Sequence, residues 1–296
     1  MVASSFGPVT QPDWQHREAT VNGVRLHYVE AGSGPLVVLL HGFPEFWYSW
    51  RHQIPALAAA GFHVIAVDQR GYNESEKPPG VSSYRIEALT EDVAELIRHA
   101  GAKKATIVGH DWGGVVAWAM PVHHPDVVDR LVVLNGPHPG AFARELKTFD
   151  QLRRSWYILF FQMPWLPELL LSALRFKSLD FMLRNEASDG AFSAEDIALY
   201  KEALGQPGAL RAAVNWYRAA FRKGPRGAKR LARPLGVKTL LIWGDQDRHL
   251  SRRLTTGLER WVPDLTVEHI AEATHWVQND APERVNWLIT EFLRRP

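Results

Sequence analysis

Short runs of consecutive apolar residues alternate with stretches of helical spacing along most of the chain. Four of these runs consist largely of Val, Leu, Ile and Ala, a composition typical of strands buried on both faces of a parallel sheet. They are PLVVLLHG at 35–42, FHVIAVD at 62–68, ATIVGHD at 105–111 and RLVVLNGP at 130–137. The segments between them, at 50–60, 84–101 and 115–125, have helical spacing. This alternation predicts an α/β fold in which right-handed crossovers connect mostly parallel strands.

The chain before the first buried strand has a different pattern. Residues 18–22 and 25–31 have strand composition and are separated by Asn22-Gly23, a strong signal for a two-residue hairpin turn. The preceding residues are polar, include Pro8 and Pro12, and lack the apolar core of a signal peptide. We therefore expect an N-terminal tail over residues 1–17, followed by an antiparallel hairpin.

From about residue 139 the buried-strand runs stop and aromatic-rich helical segments begin. The alternation resumes with KTLLIWGD at 238–245, a helix near 251–261, LTVEHIAEA at 265–273 and a final helix near 281–294. One α/β domain interrupted by a helical insertion explains this order. We expect a core domain of residues 18–138 and 233–296, and a helical cap domain of residues 139–232 inserted after the sixth strand.

A nucleophile elbow is predicted at GHDWGG, between a buried strand and a helix. In such an elbow a sharp strand-to-helix turn forces the central residue into a strained backbone and projects its side chain into a cleft. Gly109 and Gly113 supply the small flanking residues, and the projected side chain is that of Asp111. A glycine-rich turn in which Asp111 only caps the helix is the alternative, and the rest of the sequence must decide.

Three further loops after predicted strands carry polar residues. His41-Gly42-Phe43-Pro44 follows the third strand, Gly244-Asp245-Gln246-Asp247 follows the first strand after the insertion, and Thr274-His275-Trp276 follows the last strand. Nucleophile, acid and histidine in this chain order is the triad order of the α/β-hydrolase fold. An N–H of the loop after the third strand and the N–H of Trp112 would form its oxyanion hole. Asp245 and Asp247 are both candidates for the acid.

Five segments together resemble the epoxide hydrolase branch of the α/β-hydrolase superfamily, which is related to haloalkane and fluoroacetate dehalogenases. They are HGFPEFWYSWRHQIPALAAAGF, DQRGYNESEKP, GHDWGG, GDQD and the His275-Trp276 segment. The resemblance implies that Asp111 is the nucleophile and that Asp247, at the loop position after G-D-x, is the charge partner of His275. It also implies that Phe43 and Trp112 donate the oxyanion-hole N–H groups. Asp245 is then expected to order the loop.

A carboxylate nucleophile displaces a leaving group from saturated carbon and forms an ester of its own side chain. His275, oriented by Asp247, would then activate water against the carbonyl carbon of Asp111. This reaction opens an epoxide to a vicinal diol. It needs no metal and no organic cofactor.

Epoxide opening generates an alkoxide, which needs donors that can give up a proton, whereas a halide needs only weak N–H donors. Epoxide hydrolases use two cap tyrosines for this purpose. The insertion has matching contexts, Tyr157 in Y-x-x-x-F-Q-x-P and Tyr217 in Asn-Trp-Tyr-Arg. The resemblance implies that these tyrosines protonate the leaving oxygen and, together with Trp112, bind the substrate.

A haloalkane or haloacid dehalogenase with the same nucleophile is the nearest alternative. Trp112 corresponds to the halide-holding Trp of haloalkane dehalogenases, although epoxide hydrolases have it as well. Fluoroacetate dehalogenases carry arginines where this chain has Trp112 and Val115, and some dehalogenases have their acid where it has Asn135. A non-catalytic, small-ligand-binding protein of the same fold is a more distant alternative, disfavoured by the complete Asp triad.

Composition narrows the class of partner. The 34 Lys and Arg against 32 Asp and Glu leave a net charge of +2, which gives no strong overall field toward nucleic acid. The 0 cysteines exclude a thiolate nucleophile, a zinc ribbon and an iron–sulfur cluster. No uninterrupted apolar run reaches the ~18 residues of a membrane span. We expect a cytoplasmic enzyme for a small hydrophobic substrate, with no metal, nucleic acid or membrane span; monomer and homodimer both remain open.

Overall fold

The computed structural model describes residues 14–295, apart from the side chains of residues 223–230. Its eight strands are β1 (Gln15–Val21), β2 (Val24–Ala31), β3 (Leu36–Leu40), β4 (His63–Val67), β5 (Ala105–His110), β6 (Val128–Leu134), β7 (Thr239–Gly244) and β8 (Leu265–Ile270). They form one sheet in the order β1-β2-β4-β3-β5-β6-β7-β8. β2 pairs antiparallel with β1 and β4, and the other neighbours pair parallel. The mostly parallel α/β sheet expected from the alternation is confirmed.

The central strands lie in the middle of the sheet because they are composed mainly of apolar residues. Every residue of β3, β5 and β7 is buried, as expected for apolar runs covered on both faces. The edge strand β1 is mostly exposed, and the turn after it places Asn22 and Gly23 at φ 46° and 71°, the left-handed pair of a tight hairpin. Pairing with β2 extends to Gln15 opposite Glu30. β1 therefore includes the last residues of the predicted tail, whose residues 1–13 lie outside the described part.

Helices cover both faces of the sheet and fill the insertion. They are α1 (Gln53–Ala59), α2 (Ile86–His99), α3 (Trp112–His123), α4 (Pro139–Glu145), α5 (Phe149–Arg154), α6 (Trp156–Phe160), α7 (Leu166–Asn185), α8 (Ala194–Gly205), α9 (Ala209–Leu231), α10 (Val277–Asp280) and α11 (Pro282–Arg294). α4 to α9 lie between β6 and β7, so a helical cap follows the sixth strand as expected. α7 is interrupted by non-helical backbone over Ala173–Phe176.

The prediction of a helix near 251–261 is wrong. Only a short 3₁₀ turn, Arg252–Thr255, forms there. The turn cannot continue as a helix, because Thr256 has an extended backbone and Gly257 has a left-handed one at φ 66°. The apolar residues with helical spacing in this stretch, such as Leu254 and Leu258, are instead buried as parts of an irregular loop.

The parallel strands β3, β5, β6, β7 and β8 end at the same edge of the sheet. The loops after them contain all the predicted core site residues, and the cap lies between β6 and β7. No helix in the described part of the chain is both long and apolar enough to cross a membrane. The division at residues 138/139 and 232/233 stays a prediction.

Candidate active site

The strand-to-helix turn at Asp111 has the strained backbone of a nucleophile elbow. Asp111 has φ 50° and ψ −115° and is the N-cap of α3. A Cβ on Gly109 would lie 2.2 Å from the carbonyl oxygen of Gly113, and one on Gly113 would lie 2.0 Å from that of Leu40. Both glycines are therefore required by the close approach of backbone to backbone. The Asp111 side chain keeps 15% of its surface exposed, so it is accessible from the cleft.

One carboxylate oxygen of Asp111 is already held by the predicted oxyanion hole. The backbone N–H of Phe43 donates to Asp111 Oδ1 at 2.8 Å. Trp112 begins α3, so its N–H is one of the helix-terminal donors without an acceptor in its own helix. A Cβ on Gly42 would lie 2.5 Å from the Asp111 Cβ, so only glycine allows this loop to approach the elbow so closely.

His275 lies between Asp111 and Asp247. Its Nε2 is 3.7 Å from Asp111 Oδ2, and its Nδ1 donates to Asp247 Oδ2 at 2.7 Å. Burial alone would raise the pKa of Asp247, but the charge and hydrogen bond of His275 outweigh it and hold the pKa at about 2. The backbone N–H groups of His249 and Leu250 add hydrogen bonds to Asp247 Oδ1 at 2.7 and 2.9 Å. Asp247 is therefore a fixed anion that orients the imidazole.

The two neighbouring acids of the loop have different partners. Asp245 Oδ1 is 2.6 Å from His269 Nδ1 and its Oδ2 is 3.4 Å from Arg252, whereas Asp247 bonds to His275. Asn135, at the end of β6, donates its amide to Asp247 Oδ2 at 2.8 Å and accepts from the Gly244 N–H at 2.8 Å. Asn135 thus joins the ends of β6 and β7 and helps to fix the Asp247 carboxylate.

The two predicted cap tyrosines meet in an aromatic cluster above the elbow. Tyr217, on α9, packs edge-to-face on Trp112 and Phe43 with centroid distances of 4.9 and 5.5 Å. Tyr157, on α6, lies 5.9 Å from the Tyr217 ring. Burial raises the pKa of both phenols, and the negative charge of Asp111 raises it further. Both tyrosines therefore carry their proton at neutral pH and are close enough to Asp111 to sense its charge.

His110 and Glu45 form a buried ion pair behind the elbow that the sequence analysis did not predict. His110 Nδ1 donates to Glu45 Oε2 and its Nε2 donates to the backbone oxygen of His275, both at 2.7 Å. Burial disfavours charge on each group, but the pair's mutual attraction outweighs it, raising the pKa of His110 to about 9 and lowering that of Glu45 to about 2. Because both ring nitrogens face acceptors, His110 is an imidazolium that holds the His275 loop. Its position between Gly109 and Asp111 gave no sign of this role in the sequence.

His249 is a second residue that the sequence did not reveal. Its Nε2 is 2.8 Å from Glu186 Oε2 at the end of α7, and its ring packs near Tyr157 and His275 at 5.8 and 5.5 Å between centroids. Burial lowers its pKa, but the Glu186 hydrogen bond and the nearby acids raise it overall. His249 therefore connects the acid loop of the core to the cap. Its only sequence signal was proximity to Asp247.

The described residues contain no group of His, Asp and Glu side chains arranged to hold a metal ion. What the geometry assembles is a carboxylate on an elbow, an acid–histidine pair beside it, a backbone donor on the carboxylate and two phenols above. On an eight-stranded sheet of this topology, these features define an α/β-hydrolase with an aspartate at the elbow.

Comparison with known proteins agrees with this class. The family described as alpha/beta hydrolase fold matches residues 35–282. The chain is 44% identical over 276 residues to an AB hydrolase superfamily protein of Bacillus subtilis, covering 92% of this chain and 96% of that protein. It is 39% identical over 290 residues to epoxide hydrolase 1 of Caenorhabditis elegans, covering 95% and 71%.

Solved structures give the same result. A variant of an epoxide hydrolase from Bacillus megaterium superposes with a TM-score of 0.87 at 34% identity, covering 94% of this chain and 100% of that one. An epoxide hydrolase from Vigna radiata superposes with a TM-score of 0.86 at 29% identity, covering 97% and 99%. The chain belongs to the α/β-hydrolase superfamily and, within it, to the epoxide hydrolase branch. The resemblance found in the sequence is confirmed.

Proposed function

We propose that this chain hydrolyses small hydrophobic epoxides to vicinal diols through a covalent ester on Asp111. The observation that carries the proposal is the placement of His275 Nε2 at 3.7 Å from Asp111 Oδ2, with its Nδ1 bonded to Asp247. Relatives named epoxide hydrolase support the substrate class. The cap tyrosines support it as well, because an opening epoxide needs donors of a proton.

In the first step Asp111 Oδ2 attacks an epoxide carbon. Phe43 holds Oδ1 through its N–H at 2.8 Å, which leaves Oδ2 free to form the new bond. The carbon–oxygen bond of the ring breaks, and the ring oxygen takes a proton from Tyr157 or Tyr217. Burial and the Asp111 carboxylate hold the pKa of both phenols above the usual value. Transfer of the negative charge into the ester removes that opposing charge and makes proton donation easier.

In the second step His275 Nε2 takes a proton from a water molecule that attacks Cγ of the Asp111 ester. The tetrahedral intermediate places its negative charge on Oδ1, where the N–H groups of Phe43 and Trp112 stabilise it. The Cγ–Oδ2 bond then breaks, and the product leaves with Oδ2 as its second hydroxyl. His275 returns its proton to that oxygen, while Asp247 stabilises the imidazolium in between. The second proton of the water stays on the regenerated Asp111 carboxyl group and passes to the tyrosinate left by the first step, which restores the Asp111 carboxylate and the phenol.

The proposal is tested by offering the purified chain styrene oxide and a bromoalkane side by side. We expect rapid diol formation and little bromide release, since phenols favour an alkoxide leaving group over a halide. Brisk bromide release with negligible diol would instead identify a dehalogenase, the alternative with which Trp112 is also compatible. Ligand binding with no turnover of either compound would indicate a non-catalytic protein.

Replacing Asp247 with Asn is expected to lower turnover by about 10²- to 10⁴-fold, because His275 loses its orienting anion. Asp245→Asn provides a matched control on the same loop, since Asp245 bonds to His269. We expect the control to retain most of the activity. Rapid-quench measurement should place the loss in Asp247→Asn mainly in ester hydrolysis. Equal losses in both variants, or a larger loss in Asp245→Asn, would reverse the assignment of the acid.

A further inference from the structure

The cap exposes a continuous apolar segment over residues 163–174, MPWLPELLLSAL, which we call the cap tip. Four of its large side chains are more than half exposed: Trp165 at 71%, Leu169 at 58%, Leu170 at 51% and Leu174 at 79%. Single exposed apolar residues are ordinary on a protein surface, but a contiguous group indicates an interaction site. The cap tip therefore needs a partner that accepts apolar side chains.

The outer face of the cap tip carries no free charge. Glu168, its one ionisable residue, is bound by two nitrogens of Arg218 at 2.6 and 3.1 Å. The same guanidinium donates to the backbone oxygens of Phe161 and Met163. These contacts turn the Glu168 carboxylate toward the cap interior, so the cap tip offers its partner hydrocarbon and Trp165.

Basic side chains border this apolar surface. Arg175 and Lys177 follow the cap tip directly, are exposed, and form no ion pair with any residue whose side chain is described. Elsewhere on the cap, Trp156 of α6 is 63% exposed, and the neighbouring Arg153 is 68% exposed and lies 3.9 Å from Asp150. An uncharged apolar face with exposed tryptophans and a basic border is the pattern of a segment that lies in a membrane interface.

We propose that the cap tip docks onto the surface of an anionic lipid bilayer. Trp165, Leu170 and Leu174 would enter the boundary between head groups and acyl chains, while Arg175 and Lys177 would contact anionic head groups. A second copy of the chain fits this face less well, because one interface would then hold two sets of Arg175 and Lys177, whereas a bilayer supplies anionic head groups to them. The contact is peripheral, since α7 is interrupted at Ala173–Phe176 and offers no apolar span.

A groove of about 710 Å³ lies next to the cap tip and would face the bilayer when the cap tip docks. Trp165 and Leu169 of the cap tip line it together with Leu210 of α9, and so do Arg211, Arg218 and Arg222. Leu210 also packs against the aromatic cluster that contains Tyr217. The docked cap tip would thus place the groove at the lipid surface, from which apolar molecules partition. The docking itself does not depend on the reaction proposed above.

Flotation of the purified full chain with lipid vesicles tests the proposal. We expect the wild type to float with vesicles of phosphatidylcholine and phosphatidylserine, and less with phosphatidylcholine alone or at high salt. Leu170→Ser/Leu174→Ser should weaken binding by at least about tenfold, because two exposed leucines lose their apolar surface. Arg175→Gln/Lys177→Gln should remove mainly the preference for phosphatidylserine.

Leu199→Ser/Trp287→Ser is the matched control, since these residues are 39% and 50% exposed but lie on α8 and α11. It should float like the wild type. Thermal unfolding and styrene oxide turnover of every variant verify that the fold is intact. Failure of the wild type to float, or equal flotation of the cap-tip and control variants, overturns the proposal. A dimer in light scattering that Leu170→Ser/Leu174→Ser dissociates, without vesicle binding, would instead assign the face to a second copy.

Discussion

Replacing Asp111 with Ala is expected to abolish epoxide turnover, lowering kcat by at least about 10⁴-fold. The elbow projects no other nucleophile, and the nearby hydroxyls of Tyr157 and Tyr217 are raised in pKa and remain protonated. Asp111→Asn should lose activity similarly while preserving the shape of the side chain. Steady-state diol formation from styrene oxide measures the loss. Substantial activity in either variant would exclude the ester mechanism.

The covalent intermediate itself should be seen in a His275→Gln variant. This change removes the base for water but leaves the Phe43 N–H on Asp111 Oδ1, so the ester should form and persist. Mass spectrometry should find the substrate mass on the peptide that contains Asp111. His275→Gln/Asp111→Asn is the control and should show no adduct. An adduct on another peptide would move the nucleophile elsewhere.

The Tyr157→Phe/Tyr217→Phe double variant is expected to lose nearly all epoxide turnover. Each single change should lower the rate by about 10- to 1000-fold, the range for a general acid or an oxyanion donor, and the double change should lower it further. A developing alkoxide is strongly basic, so it gains far more from a phenol than a halide does. Rapid-quench measurement should locate the loss in the step that forms the ester.

Tyr200→Phe is the control for this pair. Tyr200 is also a buried cap tyrosine, but it packs on Phe46 and Phe192, away from Trp112. Its loss should leave the rate within a few-fold of the wild type. Any residual turnover of a bromoalkane should change little in the double variant. If diol formation survives loss of both hydroxyls, the alkoxide is protonated by another group.

Local patterns predicted most of the sheet, because an apolar run long enough for a buried strand needs no knowledge of distant residues. β3 and β5 and the elbow at Asp111 followed from such runs and from flanking glycines. The acid was harder to predict, because Asp245 and Asp247 follow the same strand and only the family pattern separated them. The structure brings Asp247 to His275 and Asp245 to His269.

Pairs formed across long separations were not predictable from local sequence. Glu45 and His110 are 65 residues apart, and Glu186 and His249 are 63 apart. Each looks like an ordinary loop or helix-end residue until folding places its partner beside it and, for Glu45 and His110, removes both side chains from water. The prediction of a helix near 251–261 was wrong for a local reason. The apolar residues there have helical spacing, but the left-handed backbone at Gly257 stops a helix.

The position of the cap within the chain separates the proposed triad from the two cap tyrosines. Asp111, Asp247 and His275 are carried by loops of the sheet, whereas Tyr157 and Tyr217 belong to the insertion between β6 and β7. Under the proposed mechanism, exchange of the insertion would alter leaving-group preference and leave the residues that form and hydrolyse the ester unchanged. A workable graft must keep α5, because Arg154 and Gln151 donate to the backbone oxygens of Asp247 and His249 at 2.9 Å each. Those two hydrogen bonds are contacts between cap and acid loop that any transplanted cap would have to reproduce.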